Sequence, residues 1–154
     1  MKPKYGLFVK KWYEELEKGK IMAVKCKHCG SYEFPPIYCC NECGSTEMEW
    51  VEISGDAYVT DMSLMKFHPL DKAIEDQRAK EHKPDPNKGS VSAAIRLAEG
   101  PELNNRVWGV DETNKDELFK KMPLPVKAFI VQKDGFKTVG FRYTGPGSLL
   151  ENEQ

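Results

Sequence analysis

Cysteine is the residue type best placed to do chemistry in this 154-residue chain, and four of its five cysteines stand at metal-binding spacing. Cys26-x2-Cys29 and Cys40-x2-Cys43 are separated by ten residues, and Gly30 and Gly44 follow the two pairs. Each pair reads as a knuckle whose backbone N–H groups point at the sulfurs, with the glycine supplying the permissive turn. Two facing knuckles set four thiolates at the corners of a tetrahedron, which is a closed structural zinc site. No position is left for a water, so the metal is expected to be structural and not catalytic. Iron is the alternative on the same ligands. A ribbon of about 25 residues buries too little apolar surface to stand alone. The metal therefore contributes most of its folding free energy, on the order of 10 kcal/mol. Four thiolates around one Zn²⁺ leave a charge of −2 (four negative, two positive), which Lys20, Lys25 and Lys27 lie close enough in sequence to offset.

Cys39 is left over. Cys39-x3-Cys43 is also a possible ligand spacing, but the knuckle spacing and Gly44 favour Cys40. A reactive thiol needs a cationic, accessible setting, and an inert spare thiol is the simpler reading of Cys39. His28 sits between two ligands of a filled shell and is expected to be exposed. The other two histidines, His68 and His82, have no partner constellation. The chain has no Gly-rich phosphate loop, no G-x-S-x-G and no H-E-x-x-H. A site built of carboxylates alone stays open, but nothing marks one. No catalytic residue is expected.

These ligands need elements to position them. The composition, 40% hydrophobic and 10% aromatic with three Trp, argues for a folded chain. Lys plus Arg is 23 against 24 Asp plus Glu, giving a charge of −1 and a pI near 6.3, which supplies no positive field for nucleic acid. No apolar run reaches the roughly 18 residues of a membrane span. The N-terminus MKPKYGLFVKKWYEEL lacks an uninterrupted apolar region and a small-residue cleavage site, so a cytoplasmic protein is expected. In that setting an odd count with C-x-x-C pairs reads as metal and not as disulfide.

Residues 1–20 are expected to hold an amphipathic helix. Tyr5, Phe8, Trp12 and Leu16 recur at helical spacing, with Lys10, Lys11, Glu14, Glu15 and Glu17 between them and Gly19 closing the helix. Its apolar stripe can pack on its own domain or dock a partner, and in the second case Phe8 and Trp12 are the partner-binding residues. Residues 21–47 are the ribbon, punctuated by Pro35-Pro36. Residues 48–145 alternate as strands do: MEWVEISGDAYVTDMSLM with a turn or bulge at Gly55-Asp56, then 90–97, 106–110, 126–132 and 137–143. A short helix, DELFKKM, precedes the last two strands, which Lys133-Asp134-Gly135 joins as a hairpin. Within this region residues 66–88 form a charged insertion with six Lys/Arg, five Asp/Glu, two His and three Pro. Its 71–82 part is compatible with a solvated helix. Residues 146–154 are expected to be a flexible tail. The fold class is α+β, mainly β: an N-terminal amphipathic helix, a rubredoxin-like zinc ribbon and a C-terminal OB-fold barrel.

The motifs also carry a family resemblance. C-x-x-C-G, Phe34-Pro35-Pro36, C-x-x-C-G-S, a Trp-containing strand and Ser54-Gly55 follow one another. Val91 to Gly100, Met122-Pro123-Leu124-Pro125-Val126 and Phe141-Arg142 come later. Over nearly its whole length the chain resembles the zinc-ribbon plus OB-fold proteins associated with acyl-CoA enzymes, long catalogued as a domain of unknown function. It departs from them at Ile37, where an arginine is usual, and at Asn41, where a proline is usual. The resemblance implies a non-catalytic accessory subunit of a thiolase-superfamily complex. Relatives accompany acetoacetyl-CoA thiolase and 3-hydroxy-3-methylglutaryl-CoA synthase in archaea, thiolases and aldolases of sterol side-chain breakdown, and thiolases of anaerobic aromatic degradation. In such a complex the thiolase-fold partner supplies the nucleophilic Cys and its acid–base residues. The accessory chain braces it and helps enclose the CoA part of a β-ketoacyl-CoA shared between the two. Ribbon lysines such as Lys25 and Lys27 can meet CoA phosphates, though a solvated knuckle surface is the simpler role for either alone, and the CoA-binding residues are left unassigned. The insertion favours a degradative pathway, aromatic or sterol side chain.

Two other readings stand beside it. A single-stranded nucleic-acid module would use strand aromatics (Tyr58, Trp108, Phe129, Phe136, Phe141, Tyr143) as stacking platforms. Sheet cores need aromatics anyway, and the net charge weighs against this reading. An electron carrier with iron on the four thiolates is the third, and visible absorbance separates it from zinc.

Overall fold

A computed structural model of the chain describes residues 6–65 and 89–152, and between them residues 73, 74, 76, 77, 80 and 81. Helix α1 spans Leu7–Glu17. Its stripe turns inward at Leu16, which is fully buried, while Tyr5 lies outside the described residues. Gly19 ends the helix at φ +81°. Its N–H bonds to the Leu16 carbonyl at 3.0 Å and the Lys20 N–H to the Glu15 carbonyl at 2.9 Å, a Schellman closure.

Three short strands build the ribbon sheet in the order β2-β1-β3, all antiparallel: β1 Met22–Cys26, β2 Tyr32–Glu33 and β3 Met48–Glu52. Sequence patterning put Met48–Glu52 at the start of the barrel. The structure pairs it with β1 instead, Val24 opposite Trp50 and Cys26 opposite Met48. The reason is the edge: β2 is only two residues long, and without β3 the other side of β1 would show unpaired backbone groups.

The barrel comprises β4 Asp56–Leu64, β5 Val91–Leu97, β6 Glu102–Trp108, β7 Leu124–Lys133 and β8 Phe136–Tyr143. It closes in the order β4-β5-β6-β8-β7, with β7 returning to β4, and every pairing is antiparallel except β6 with β8. This is the five-stranded closed barrel of OB type that the sequence suggested. Helix α2, Lys115–Phe119, lies between β6 and β7 in the chain and buries Leu118. Alternate residues fill the interior: Val59, Ile95, Val107, Leu124 and Phe141 are each at most 2% exposed. Asp134-Gly135 makes the two-residue hairpin loop, with Lys133 opposite Phe136 and Gly135 at φ +81°.

Two expectations change. β6 begins at Glu102, four residues before the expected 106, because its early residues include Asn104 and Asn105, poor strand formers held in place by pairing with Ala93 and Ala94. The tail is not loose over its described part. Ser148 is buried, the Tyr143 hydroxyl donates to the Pro146 carbonyl at 2.9 Å, and the Leu149 N–H bonds to the Gly109 carbonyl at 3.0 Å. In the charged insertion, Ala73, Ile74, Asp76, Gln77 and Lys80 are helical; His68 and His82 lie outside the described residues. Among the described residues no helix is long and apolar enough to cross a membrane.

Ribbon and barrel share one hydrophobic core, in which Leu16, Ala23, Phe34 and Ile53 join the barrel interior. Polar contacts tie the same seam. Ser54 donates its N–H and hydroxyl to Glu99 Oε1 at 2.9 and 3.0 Å, and Lys137 meets Glu17 at 3.3 Å.

Candidate metal centre

The two knuckles fold alike. The Gly30 N–H bonds to the Cys26 carbonyl and the Gly44 N–H to the Cys40 carbonyl, both at 2.9 Å. Ser31 and Ser45 return the chain to the N–H groups of Cys26 and Cys40 at 2.8 and 2.9 Å. Both turns need the left-handed conformation that Gly30 (φ +78°) and Gly44 (φ +75°) adopt. Cys26 closes β1 and is buried with Cys40, while Cys29 and Cys43 face outward.

The four sulfurs lie within 4.8 Å of one another, with Cys26–Cys43 at 3.6 Å and Cys29–Cys40 at 3.5 Å. A tetrahedron with Zn–S bonds of about 2.3 Å has edges of about 3.8 Å, so these two edges are within a few tenths of an ångström of a zinc shell's. One zinc on Cys26, Cys29, Cys40 and Cys43 is the fit. Cys39 does not belong to the cluster, which settles the ligand choice for Cys40, and His28 is exposed as expected.

Hydrogen bonding prepares the thiolates unequally. The Ser31 hydroxyl and N–H hold Cys29 down at about 6, and the Cys29 N–H, 3.5 Å from Cys26 Sγ, lowers Cys26. The Cys43 N–H favours the Cys40 thiolate, yet burial and the neighbouring Cys29 thiol carry Cys40 upward. The Ser45 N–H likewise favours the Cys43 thiolate, but burial and hydrogen bonds shared with the Cys26, Cys29 and Cys40 sulfurs push Cys43 up to about 12. These are states of the metal-free shell; a divalent cation displaces the remaining protons.

Phe8 and Trp12 are half-buried against the chain's own ribbon. Phe8 lies 4.9 Å from Trp50 and Trp12 lies 5.5 Å from Phe34, ring centre to ring centre. On the same helix Leu7 is 90% and Val9 43% exposed. Lys25 sits over the Tyr32 ring at 5.3 Å, and Lys27 is exposed. Of the strand aromatics, Phe141 and Tyr143 are core, and Phe136 meets Tyr13 of α1 edge-on at 6.1 Å. Tyr58, Trp108 and Phe129 are on the outer side. A cleft of about 640 Å³ opens between ribbon and barrel near Tyr32, Glu33, Glu42 and Glu99. Of its acids, Glu33 accepts from Asn41, Glu99 Oε1 from Ser54 and Glu102 from Arg96, while Glu99 Oε2 is buried with no hydrogen-bond partner.

Residues 14–49 match the family model for the ChsH2 rubredoxin-like zinc ribbon domain. Over those residues the ribbon is similar to the ChsH2 zinc ribbon. The resemblance read from the motifs is supported by this match and by a relative described as a DUF35 protein. The chain is 32% identical over 102 residues to a DUF35 domain-containing scaffold protein of Methanocaldococcus jannaschii, which covers 66% of this chain and 64% of that one. It is 26% identical over 99 residues to a probable enoyl-CoA hydratase alpha subunit of Thermomonospora curvata, covering 64% of this chain and only 27% of that protein. In both cases the chain spans less than two thirds of the relative's length. Among solved structures, a chain of the Ltp2-ChsH2(DUF35) aldolase superposes with a TM-score of 0.60 at 20% identity, covering 92% of this chain and 98% of that one. A DUF35-family protein of unknown function from Sulfolobus solfataricus gives 0.53 at 20% identity, with 90% and 87% covered. At that identity the structural likeness speaks for the fold alone.

Proposed function

We propose that the chain is a non-catalytic, zinc-stabilised accessory subunit of a heteromeric acyl-CoA enzyme, with a thiolase-fold catalytic partner in the cytoplasm. Its task is to brace that partner and help hold the CoA part of a β-ketoacyl-CoA substrate, in a degradative pathway for aromatic compounds or sterol side chains. The carrying observation is the closed shell of four cysteines: every corner open to a metal is a thiolate, so the ion would serve to hold the ribbon's two knuckles together and offer substrate no coordination position. Relatives described as a scaffold protein and as a hydratase subunit support the accessory role. Helix α1 is the proposed docking element. Phe8 and Trp12 clamp it to the ribbon, and Leu7 and Val9 are left facing outward.

The test is affinity capture of the zinc-loaded chain from its native cell extract, followed by reconstituted thiolysis. Near-stoichiometric co-elution of a larger thiolase-like chain, whose acyl-CoA saturation and stability depend on this subunit, is the expected result. A partner enzyme that is fully active, saturable and stable without the chain overturns the proposal.

A further inference from the structure

We infer that the cysteine shell is a redox switch: a hydroperoxide converts it to two disulfides, Cys29–Cys40 and Cys26–Cys43, each joining one knuckle to the other, with release of the zinc. The inference concerns the shell alone and holds with or without the catalytic partner proposed above.

The pairing follows from burial and distance. Cys26 and Cys40 are 1% and 2% exposed, whereas Cys29 and Cys43 face solvent. Each outward sulfur has an inward one of the opposite knuckle close by: Cys29 lies 3.5 Å from Cys40, and Cys43 lies 3.6 Å from Cys26. An S–S bond of about 2.05 Å asks each pair to close by about 1.5 Å. The 29–40 loop nests inside the 26–43 loop, so both bonds form in one chain without crossing. Together they tie the knuckles where the metal tied them, whereas a bond inside one C-x-x-C pair leaves the knuckles unconnected. Cys39 is half-exposed and outside the cluster. It is one trans peptide from Cys40, with about 3.8 Å between Cα atoms, short of the roughly 4.4–6.8 Å that disulfides span. Cys39 therefore stays a thiol.

The outward thiolate of each pair is the one an oxidant reaches. It attacks one peroxide oxygen, the O–O bond breaks, and the sulfur becomes a sulfenic acid while the other oxygen takes up a proton and leaves as water. The inward thiolate then attacks that sulfur. The S–S bond forms, and the sulfenic oxygen takes up a proton and leaves as water. Two peroxides thus remove four electrons from four thiolates and, with four protons from solvent, give two disulfides and four waters. A shell without thiolates no longer holds a divalent cation. Ala23 and Phe34 anchor the ribbon in the core it shares with the barrel, so the ribbon keeps its place through the exchange. Disulfides in a reducing compartment are of this transient, oxidant-sensing kind.

The zinc-loaded full chain is treated with hydrogen peroxide beside a peroxide-free control. Released zinc is read with a chromophoric chelator and free thiols are counted. The product is then digested without reduction by trypsin and a glutamyl endopeptidase. Cleavage after Lys27, Glu33 and Glu42 sets Cys26, Cys29, the Cys39–Cys40 pair and Cys43 on separate peptides. The expected result is one zinc released per chain as four of the five thiols disappear, with Cys39 still open to alkylation. The peptide of Cys29 is joined to that of Cys40, and the peptide of Cys26 to that of Cys43. Dithiothreitol with added zinc restores full loading, and Cys39→Ser behaves as the parent. The oxidised chain melts above a chain stripped of zinc by a strong chelator under reducing conditions. The inference is overturned by zinc retained in millimolar peroxide, by bonds within a knuckle or to Cys39, or by oxidation that dithiothreitol does not reverse. An oxidised chain that melts like the zinc-stripped one also overturns it. The bond map and zinc count are taken on the unaltered protein, so the test stays decisive should the variant fold poorly.

Discussion

Gly55 and Ala128 touch where the chain passes from ribbon to barrel. The Gly55 carbonyl accepts from the Ala128 N–H at 2.8 Å, and a Cβ on Gly55 would stand 3.2 Å from the Ala128 Cβ. Gly55 is also at φ +81°, so a side chain there meets backbone strain as well as crowding. Gly55→Ala should destabilise the zinc-loaded chain by about 1–3 kcal/mol in urea unfolding. Combining it with Ala128→Gly should recover the steric part only, giving a measurable favourable coupling in the double-mutant cycle. Strict additivity would show that the two residues do not press on one another.

Zinc content separates the adjacent cysteines. Cys40→Ser removes a corner of the shell and should leave the purified protein with far less than one zinc and a ribbon that melts early. Cys39→Ser, outside the cluster, should retain one zinc and the parent melting temperature. A strong chelator should act on the parent as Cys40→Ser does. Zinc lost from Cys39→Ser with Cys40→Ser still loaded would exchange the ligand assignment.

Zinc affinity should rise with pH. In the metal-free shell the Ser31 hydroxyl keeps Cys29 at about 6, whereas Cys43 is pushed up to about 12, so at neutral pH Cys29 is mostly thiolate and Cys43 still carries its proton. Binding must expel that proton. Expelled protons are products, so each one makes affinity climb about tenfold per pH unit. Falling through about pH 6 protonates Cys29 as well and steepens the loss. Competition with a chromophoric chelator from about pH 5 to about pH 8 reads this slope directly; a flat profile would contradict it.

The metal shell and the barrel's strand count were legible in the sequence because each rests on local signals: knuckle spacing with its glycines, and period-two alternation bounded by turns. The wrong partner for Met48–Glu52 shows the limit. Alternation reports that a segment is a strand, while the choice between β1 and the barrel depends on which edge is left open. Asn104 and Asn105 hid the start of β6, since pairing overrode their weak propensity. The tail looked loose because its anchors, the Tyr143 hydroxyl to Pro146 and the Gly109 carbonyl to Leu149, join residues whose types predict no contact.

Helix α1 offers the sharpest separation of fold from docking. Trp12 is packed on Phe34, which is itself in the shared core, so its indole holds the helix against the ribbon. Trp12→Ala should therefore lower stability by about 2 kcal/mol, less than a fully buried Trp would cost because its ring is only half-covered. Leu7, 90% exposed, has little to lose: Leu7→Ser should leave unfolding unchanged within about 0.5 kcal/mol. If α1 is the docking element, the same Leu7→Ser change should weaken co-purification with the catalytic partner at full zinc content and unaltered stability. A Leu7→Ser variant that captures the partner as well as the parent does would remove α1's outer face from the interface and leave the helix a purely structural brace of the ribbon.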